Sequence, residues 1–145
     1  MRITQESDYA LRIVTALAQN GATVDAGTLS RETSVTPRFT LKILHKLALG
    51  GLVTSSKGAN GGYRLSRSPD TLTMKDVIEA IEGPIVIARC LHTYEDCSQN
   101  GLNKTDCRYH HIFQQVSDQV ARTFAEIRIA DVISSSDQVQ GGDQA

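Results

Sequence analysis

The sequence predicts a mainly α-helical fold with a single small β-hairpin. Three observations lead there. Apolar residues recur at three- and four-residue spacing over residues 5–20 and again over 109–133. Helix-capping residues stand at Asp25, Thr36 and Thr73, each just ahead of a run that suits a helix. Between two short runs with strand character lies one segment, 56–62, that holds three glycines and an asparagine. A length of 145 residues suits one small domain with a helical appendage. Hydrophobic residues make up 40% of the chain, and no apolar run is long enough to span a bilayer.

The first helix is expected over residues 5–20, with Tyr9, Ala10, Ile13, Val14, Leu17 and Ala18 on one stripe and Gly21 as its stop. Val24 is read as part of a short connection. Asp25 can accept a hydrogen bond from the Thr28 backbone N–H and so cap a second, short helix that turns Leu29 inward. Thr33-Ser34-Val35 is the turn. Thr36-Pro37 opens a third helix with a hydroxyl cap and then a proline where the missing N–H costs nothing. That helix is expected to send Phe39, Ile43, Leu44 and Leu47 to the core, to carry Arg38, Lys42, His45 and Lys46 on its other side, and to end at Gly50-Gly51.

Residues 52–55 and 63–65 read as the strands of a hairpin. Its glycine-rich tip tolerates positive φ and close backbone approach, and it carries Lys57. Thr73, with Asp76 as box partner, caps a helix over 74–82 that Gly83-Pro84 ends. The polar stretch 88–107 has no periodicity and reads as a long loop. In the last helix, Ile112, Val116, Val120, Phe124 and Ile127 step by four, four, four and three. A stripe on so long a terminal helix calls for a second surface, and another copy of the chain is the natural one. The chain thus divides into a helical domain with a hairpin (1–83), a cysteine-containing loop (84–108), a dimerisation helix (109–133) and a disordered polar tail (134–145).

Net charge is only −1, but it is segregated. Over the 37 residues 31–67, seven cations (Arg31, Arg38, Lys42, Lys46, Lys57, Arg64 and Arg67) stand against Glu32 alone. A concentrated positive field is what a phosphate-facing surface needs. Helix, turn, capped basic helix and glycine-tipped basic hairpin, in that order, describe a winged helix-turn-helix. The second helix of the pair enters the major groove in such modules, so base contacts fall first to Arg38 and Lys42. Thr36, Thr40, His45, Lys46 and Lys57 are expected on phosphates, and Asn60 and Arg64 complete the set on the wing.

Cys90, Cys97 and Cys107 all lie in or at the end of the loop. Their spacing is not that of the common structural zinc motifs. An odd number of thiols argues against a disulfide framework, and spacing alone leaves metal binding and three unrelated thiols as alternatives. Thiolates suit iron–sulfur clusters and zinc alike. Three thiols leave a fourth position open, with His110 three residues beyond Cys107 and His111, His92, Asp96 and Asp106 nearby. An enzyme with a cysteine nucleophile and His92 or His110 as base has no oxyanion site or orienting partner in the sequence.

Several motifs resemble the IscR/NsrR/RirA type of bacterial iron–sulfur regulators. They are Met1-Arg2-Ile3-Thr4, Tyr9-Ala10-Leu11-Arg12, Leu41-Lys42-Ile43-Leu44-His45-Lys46-Leu47, Gly51-Leu52-Val53, Lys57-Gly58-Ala59-Asn60-Gly61-Gly62-Tyr63-Arg64-Leu65 and the 77–83 run before the cysteines. The resemblance implies a homodimer built on the C-terminal helix and a 2Fe–2S or 4Fe–4S cluster held by Cys90, Cys97 and Cys107. The fourth ligand varies in that family. A histidine after the third cysteine corresponds here to His110, and an acidic residue near the N-terminus of the partner subunit corresponds to Asp8. Both are present; the run Ser7-Asp8-Tyr9-Ala10-Leu11-Arg12, similar to the nitric-oxide-sensing branch, favours Asp8. The chain departs from the family in its longer gap between Cys97 and Cys107, in Lys57 where arginine is common, and in Thr40-Leu41 on the third helix.

The expectation is therefore a cytoplasmic, dimeric repressor that binds a palindromic DNA operator. Its affinity would be set by an iron–sulfur cluster sensing nitric oxide, iron or redox state. The alternative is the same regulator using zinc or a thiol switch.

Overall fold

The computed structural model describes residues 2–92 and 106–139, with side chains through 135. Helix α1 (Gln5–Asn20) is capped by Thr4, whose hydroxyl accepts from the Ser7 N–H, and stops at Gly21 with φ 64°. Helix α2 (Ala26–Thr33) starts at Asp25, whose carboxylate takes the Thr28 N–H at 2.9 Å. Helix α3 (Pro37–Leu49) opens with the expected Thr36 cap and Pro37. Strands β1 (Val53–Ser56) and β2 (Gly62–Leu65) pair antiparallel, Val53 opposite Leu65 and Ser56 opposite Gly62. Helix α4 (Met74–Glu82) carries the full capping box, with Thr73 and Asp76 exchanging hydrogen bonds.

The core is one cluster at the crossing of α1, α3 and α4. Ile13, Val14 and Leu17 of α1 meet Ile43, Leu44 and Leu47 of α3, with Leu29, Leu72 and Val77 closing the sides, all essentially without exposure. Helical spacing put these residues on inward faces, and burial of that apolar surface drives the packing.

Five features differ from expectation. Val24 is not merely a connection. It exchanges two backbone hydrogen bonds with Tyr63, both 2.8 Å, and so makes an isolated antiparallel bridge beside the hairpin. Gly62 lies against it, where a side chain's Cβ would sit 2.5 Å from the Val24 carbonyl oxygen. Only glycine lets the two backbones approach so closely. Phe39 is not a core residue. It is 39% exposed, because its edge-to-face contact with Tyr9 (centroids 5.9 Å apart) holds it at the rim between α3 and α1.

The terminal helix is two helices. Helix α5 (Arg108–Glu126) ends where Ile127 and Arg128 run extended beside Leu72–Met74. The Met74 N–H donates to the Ile127 carbonyl at 2.9 Å and the Ile129 N–H to the Leu72 carbonyl at 2.8 Å. Helix α6 (Ile129–Val139) then resumes, with the Asp131 carboxylate bonded to the Arg128 backbone N–H and guanidinium. Residues 134–139, expected in a disordered tail, continue α6, because Ile129 and Ile133 anchor that helix on the core beside α1. Among the described residues no helix is long and apolar enough to cross a membrane. A short 3₁₀ turn, η1 (Arg89–Leu91), was not foreseen in the cysteine loop.

Ile129 is 1% exposed and is the residue that seats α6. Ile129→Ala should lower the free energy of unfolding by about 2–5 kcal/mol through the lost methylenes and the cavity they leave. A urea titration at neutral pH reads this directly, and a change under about 1 kcal/mol would mean that α6 contributes nothing to the folded domain.

Candidate DNA-reading surface and cysteine site

Two regions carry the chemistry that the sequence singled out: the outer face of α3 with the hairpin, and the segment from η1 to the start of α5.

On α3 the helical twist separates two sets. Thr40, Ile43, Leu44 and Leu47 are buried, while Arg38, Lys42 and His45 are exposed and Lys46 is half-buried. Thr40 was expected on the outer face with the basic residues. It is fully buried, and its hydroxyl donates to the Val35 carbonyl at 3.3 Å, so it serves the turn between α2 and α3. Ser30 donates to the same carbonyl at 2.6 Å. Thr36 is exposed, but its hydroxyl is engaged as the cap of α3, accepting from Phe39 N–H at 3.4 Å. Lys57 and Asn60 stand exposed at the hairpin tip and Arg64 on the outer side of β2.

The lysines of α3 are already paired. Glu6, in the first turn of α1, accepts from Lys42 on one carboxylate oxygen and from Lys46 on the other. Those two hydrogen bonds, Lys42 first, hold the Glu6 carboxyl below the ordinary carboxylate range. Arg38, His45, Lys57 and Arg64 form no ion pair within the described fold.

The other end of α1's first turn is tied to α4. Glu82 Oε1 accepts from the Thr4 hydroxyl at 2.7 Å, from the Thr4 N–H at 3.1 Å and from the buried Ser7 hydroxyl. Burial alone would raise the Glu82 pKa. The donors from Ser7 and Thr4 outweigh it, and the carboxyl lies below its usual range. Nothing in a linear reading marks this contact, since its partners are separated by more than 70 positions.

Beyond α4 the chain passes Gly83-Pro84 and buries Ile85. The Ile87 N–H then donates to Ser117 Oγ at 3.0 Å, and Ser117, fully buried, donates in turn to the Phe113 carbonyl at 2.7 Å. This strap holds η1, with Cys90, against α5. Cys107 is the residue just ahead of α5. Both thiols are free and half-buried. His110 stands one turn into α5, and its Nδ1 is buried without a hydrogen-bond partner among the described residues. A buried imidazole nitrogen left without a hydrogen-bond partner costs about 1–3 kcal/mol.

Cys97 and Asp96 lie outside the described residues, and among those described no three His, Cys, Asp or Glu side chains converge as a metal site. Asp8 is elsewhere: it pairs with Arg12 at 2.6 Å and borders a groove shared with Met74, Ile129 and Val132.

The family model described as iron-dependent transcriptional regulator, Rrf2, matches residues 3–135. The chain belongs to the Rrf2 family. It is 35% identical over 99 residues to protein aau3 of Rhizobium meliloti, an alignment covering 67% of this chain and 64% of that protein. It is 26% identical over 146 residues to the HTH-type transcriptional regulator IscR of Aliivibrio salmonicida, covering 99% and 84% of the two chains. Its fold is similar to that of CymR, the global cysteine regulator of B. subtilis, with a TM-score of 0.73, 22% identity, and coverage of 93% and 98%. This Rrf2 chain is thus a helix-turn-helix transcription regulator and not an enzyme.

The Glu82 contact has a defined pH signature in this Rrf2 chain. A carboxyl whose folded pKa is depressed stabilises the fold above its unfolded value, here 4.5, and loses that contribution as pH falls through the lower folded value. Glu82→Gln should therefore lower Tm at pH 7, and its difference from the parent should shrink at an acid pH as the Glu82 carboxyl becomes protonated. Parallel melting curves at both pH values would show instead that the contact carries no linked stability.

Proposed function

We propose that the chain is a cytoplasmic, dimeric DNA-binding repressor whose operator affinity is set by an iron–sulfur cluster on Cys90, Cys97, Cys107 and His110. One observation carries the cluster reading: the unpartnered, buried His110 Nδ1, one turn from Cys107 and on the helix against which the Cys90 turn is strapped. Three thiolates and an imidazole are a donor set of the right softness. Asp8, which the sequence favoured as fourth ligand, is paired with Arg12, so His110 takes that place in this reading. When bound, the cluster supplies a redox- and nitric-oxide-reactive centre.

The chain's own residues supply the coupling. Cys90 and Cys107 sit on η1 and at the root of α5, so fixing their separation fixes how α5 leaves the domain. Tyr109, Ile112 and Val116 are 70%, 50% and 40% exposed along α5, an apolar stripe suited to a second copy. In a dimer held on α5, its direction sets the spacing of the two α3 helices, which must match about one turn of DNA, roughly 34–36 Å. Arg38 and Lys42 then read base edges in a palindromic operator. Thr36, His45, Lys46, Lys57, Asn60 and Arg64 meet phosphates, while Thr40, being buried, leaves the set.

A second reading keeps the regulator and replaces the cluster with zinc or a thiol switch. Two free, half-buried cysteines and the likeness to a global cysteine regulator favour it.

Protein purified without oxygen separates the two. The first reading expects a brown protein with matched iron and sulfide. It expects that colour to be lost in each single Cys→Ala variant and in His110→Ala, but kept in Asp8→Ala. Protein that stays colourless after reconstitution, or a His110→Ala variant with a full cluster, overturns the assignment as written. Arg38→Ala should cost about 1–3 kcal/mol of operator affinity and relax selectivity at the base it reads, measured by titration against single-base operator variants.

A further inference from the structure

Glu6 occupies the cations with which α3 would meet DNA. Its two oxygens take one ammonium each, from Lys42 and Lys46. A carboxylate set between two lysines engages the same donors that a phosphate would use. The Glu6 side chain is 27% exposed against 50% for Lys42, so the acid is the more enclosed partner.

The turn that carries Glu6 is held on both sides, and Lys42 also lies over the Phe39 ring at 5.8 Å. On one side, Thr4 and Ser7 are bonded to Glu82. On the other, Tyr9 packs edge-on against Phe39, and Arg12 lies over the Tyr9 ring at 5.6 Å. Asp8, the other acid of that turn, is engaged by Arg12, which leaves Glu6 as the acid bonded to α3. The backbone that carries Glu6 is thus held in place beside α3. Lys42 and Lys46, on flexible four-carbon stems, can change acceptor by rotation alone.

We propose that Glu6 is a built-in competitor for the DNA backbone, a specificity-determining residue that limits how strongly α3 holds DNA of unrelated sequence. This inference rests on the reading of α3 as a DNA-contacting helix. On DNA of unrelated sequence, where Lys42 has no base edge to read and both lysines can meet phosphates, each lysine kept on Glu6 is one fewer phosphate neutralised and fewer counterions released.

The test is a fluorescence-anisotropy titration of the full chain on a mixed-sequence duplex of about three helical turns, over a series of salt concentrations. Glu6→Gln should bind about ten-fold more tightly at low salt, with the slope of log K against log salt steeper by about 1–2 per subunit. Adding Lys42→Gln and Lys46→Gln to Glu6→Gln should erase the gain. Equal affinity and slope in parent and variant, weaker binding by a folded Glu6→Gln protein, or a gain that survives loss of both lysines would each overturn the inference. Should Glu6→Gln lose its folding transition, Glu6→Asp keeps the charge but shortens the reach. A partial gain is then expected, and no gain overturns the proposal. Absence of salt-dependent duplex binding by parent and variant alike overturns the DNA-reading assignment itself, and this inference with it.

Discussion

The backbone pairing between Leu72–Met74 and Ile127–Ile129 is the constraint on which the rest of this architecture depends. It converts one amphipathic helix into two with different tasks. Helix α6 is drawn onto the core, where Ile129 is buried. Helix α5 is left to run past α4 with Tyr109, Ile112 and Val116 outward. An unbroken helix could not both fill the core beside α1 and present that apolar stripe. Two backbone hydrogen bonds in a partly enclosed position, with Asp131 bonded at the restart, outweigh the propensity of the local sequence to continue as helix.

The first turn of α1 is the second junction. Thr4 and Ser7 bind Glu82, the last residue of α4, from which the chain goes directly into the cysteine segment. Between Thr4 and Tyr9 on the same turn, Glu6 binds the lysines of α3. A single helical turn therefore touches both the exit toward the cysteines and the basic outer face of α3. The strap from Ile87 to Ser117 extends this contact to α5. The two chemically distinct regions are joined by hydrogen bonds and ion pairs on short, packed elements, so a change in the angle of α5 has a path of direct contacts toward α3.

Local signals were legible in the sequence. The caps at Asp25, Thr36 and Thr73 and the stop at Gly21 act within three or four residues, and the structure has each of them. The buried stripes of α1 and α3 followed from helical period, with two exceptions at the edge of α3's inward arc. Thr40 is small and its hydroxyl finds the Val35 carbonyl, so it is buried; Phe39 finds the Tyr9 edge, so it stays at the rim. Near the boundary of a face, such partners rather than polarity decide which way a side chain goes. The thiols and His110 were legible as chemistry, but the environment of His110 Nδ1 was not.

By itself, then, the sequence determined most of the segments that become helix or hairpin, where most of those stop, and which residues could carry DNA or metal chemistry. Those are properties of neighbours along the chain, set by caps, period and residue type. Tertiary structure alone decided that Val24 pairs with Tyr63, that the last helix breaks at Ile127, that Glu82 grips Thr4 and Ser7, and that Glu6 holds Lys42 and Lys46. Each of these joins groups far apart in sequence, and its free energy exists only once the core has brought them together and shielded them from water.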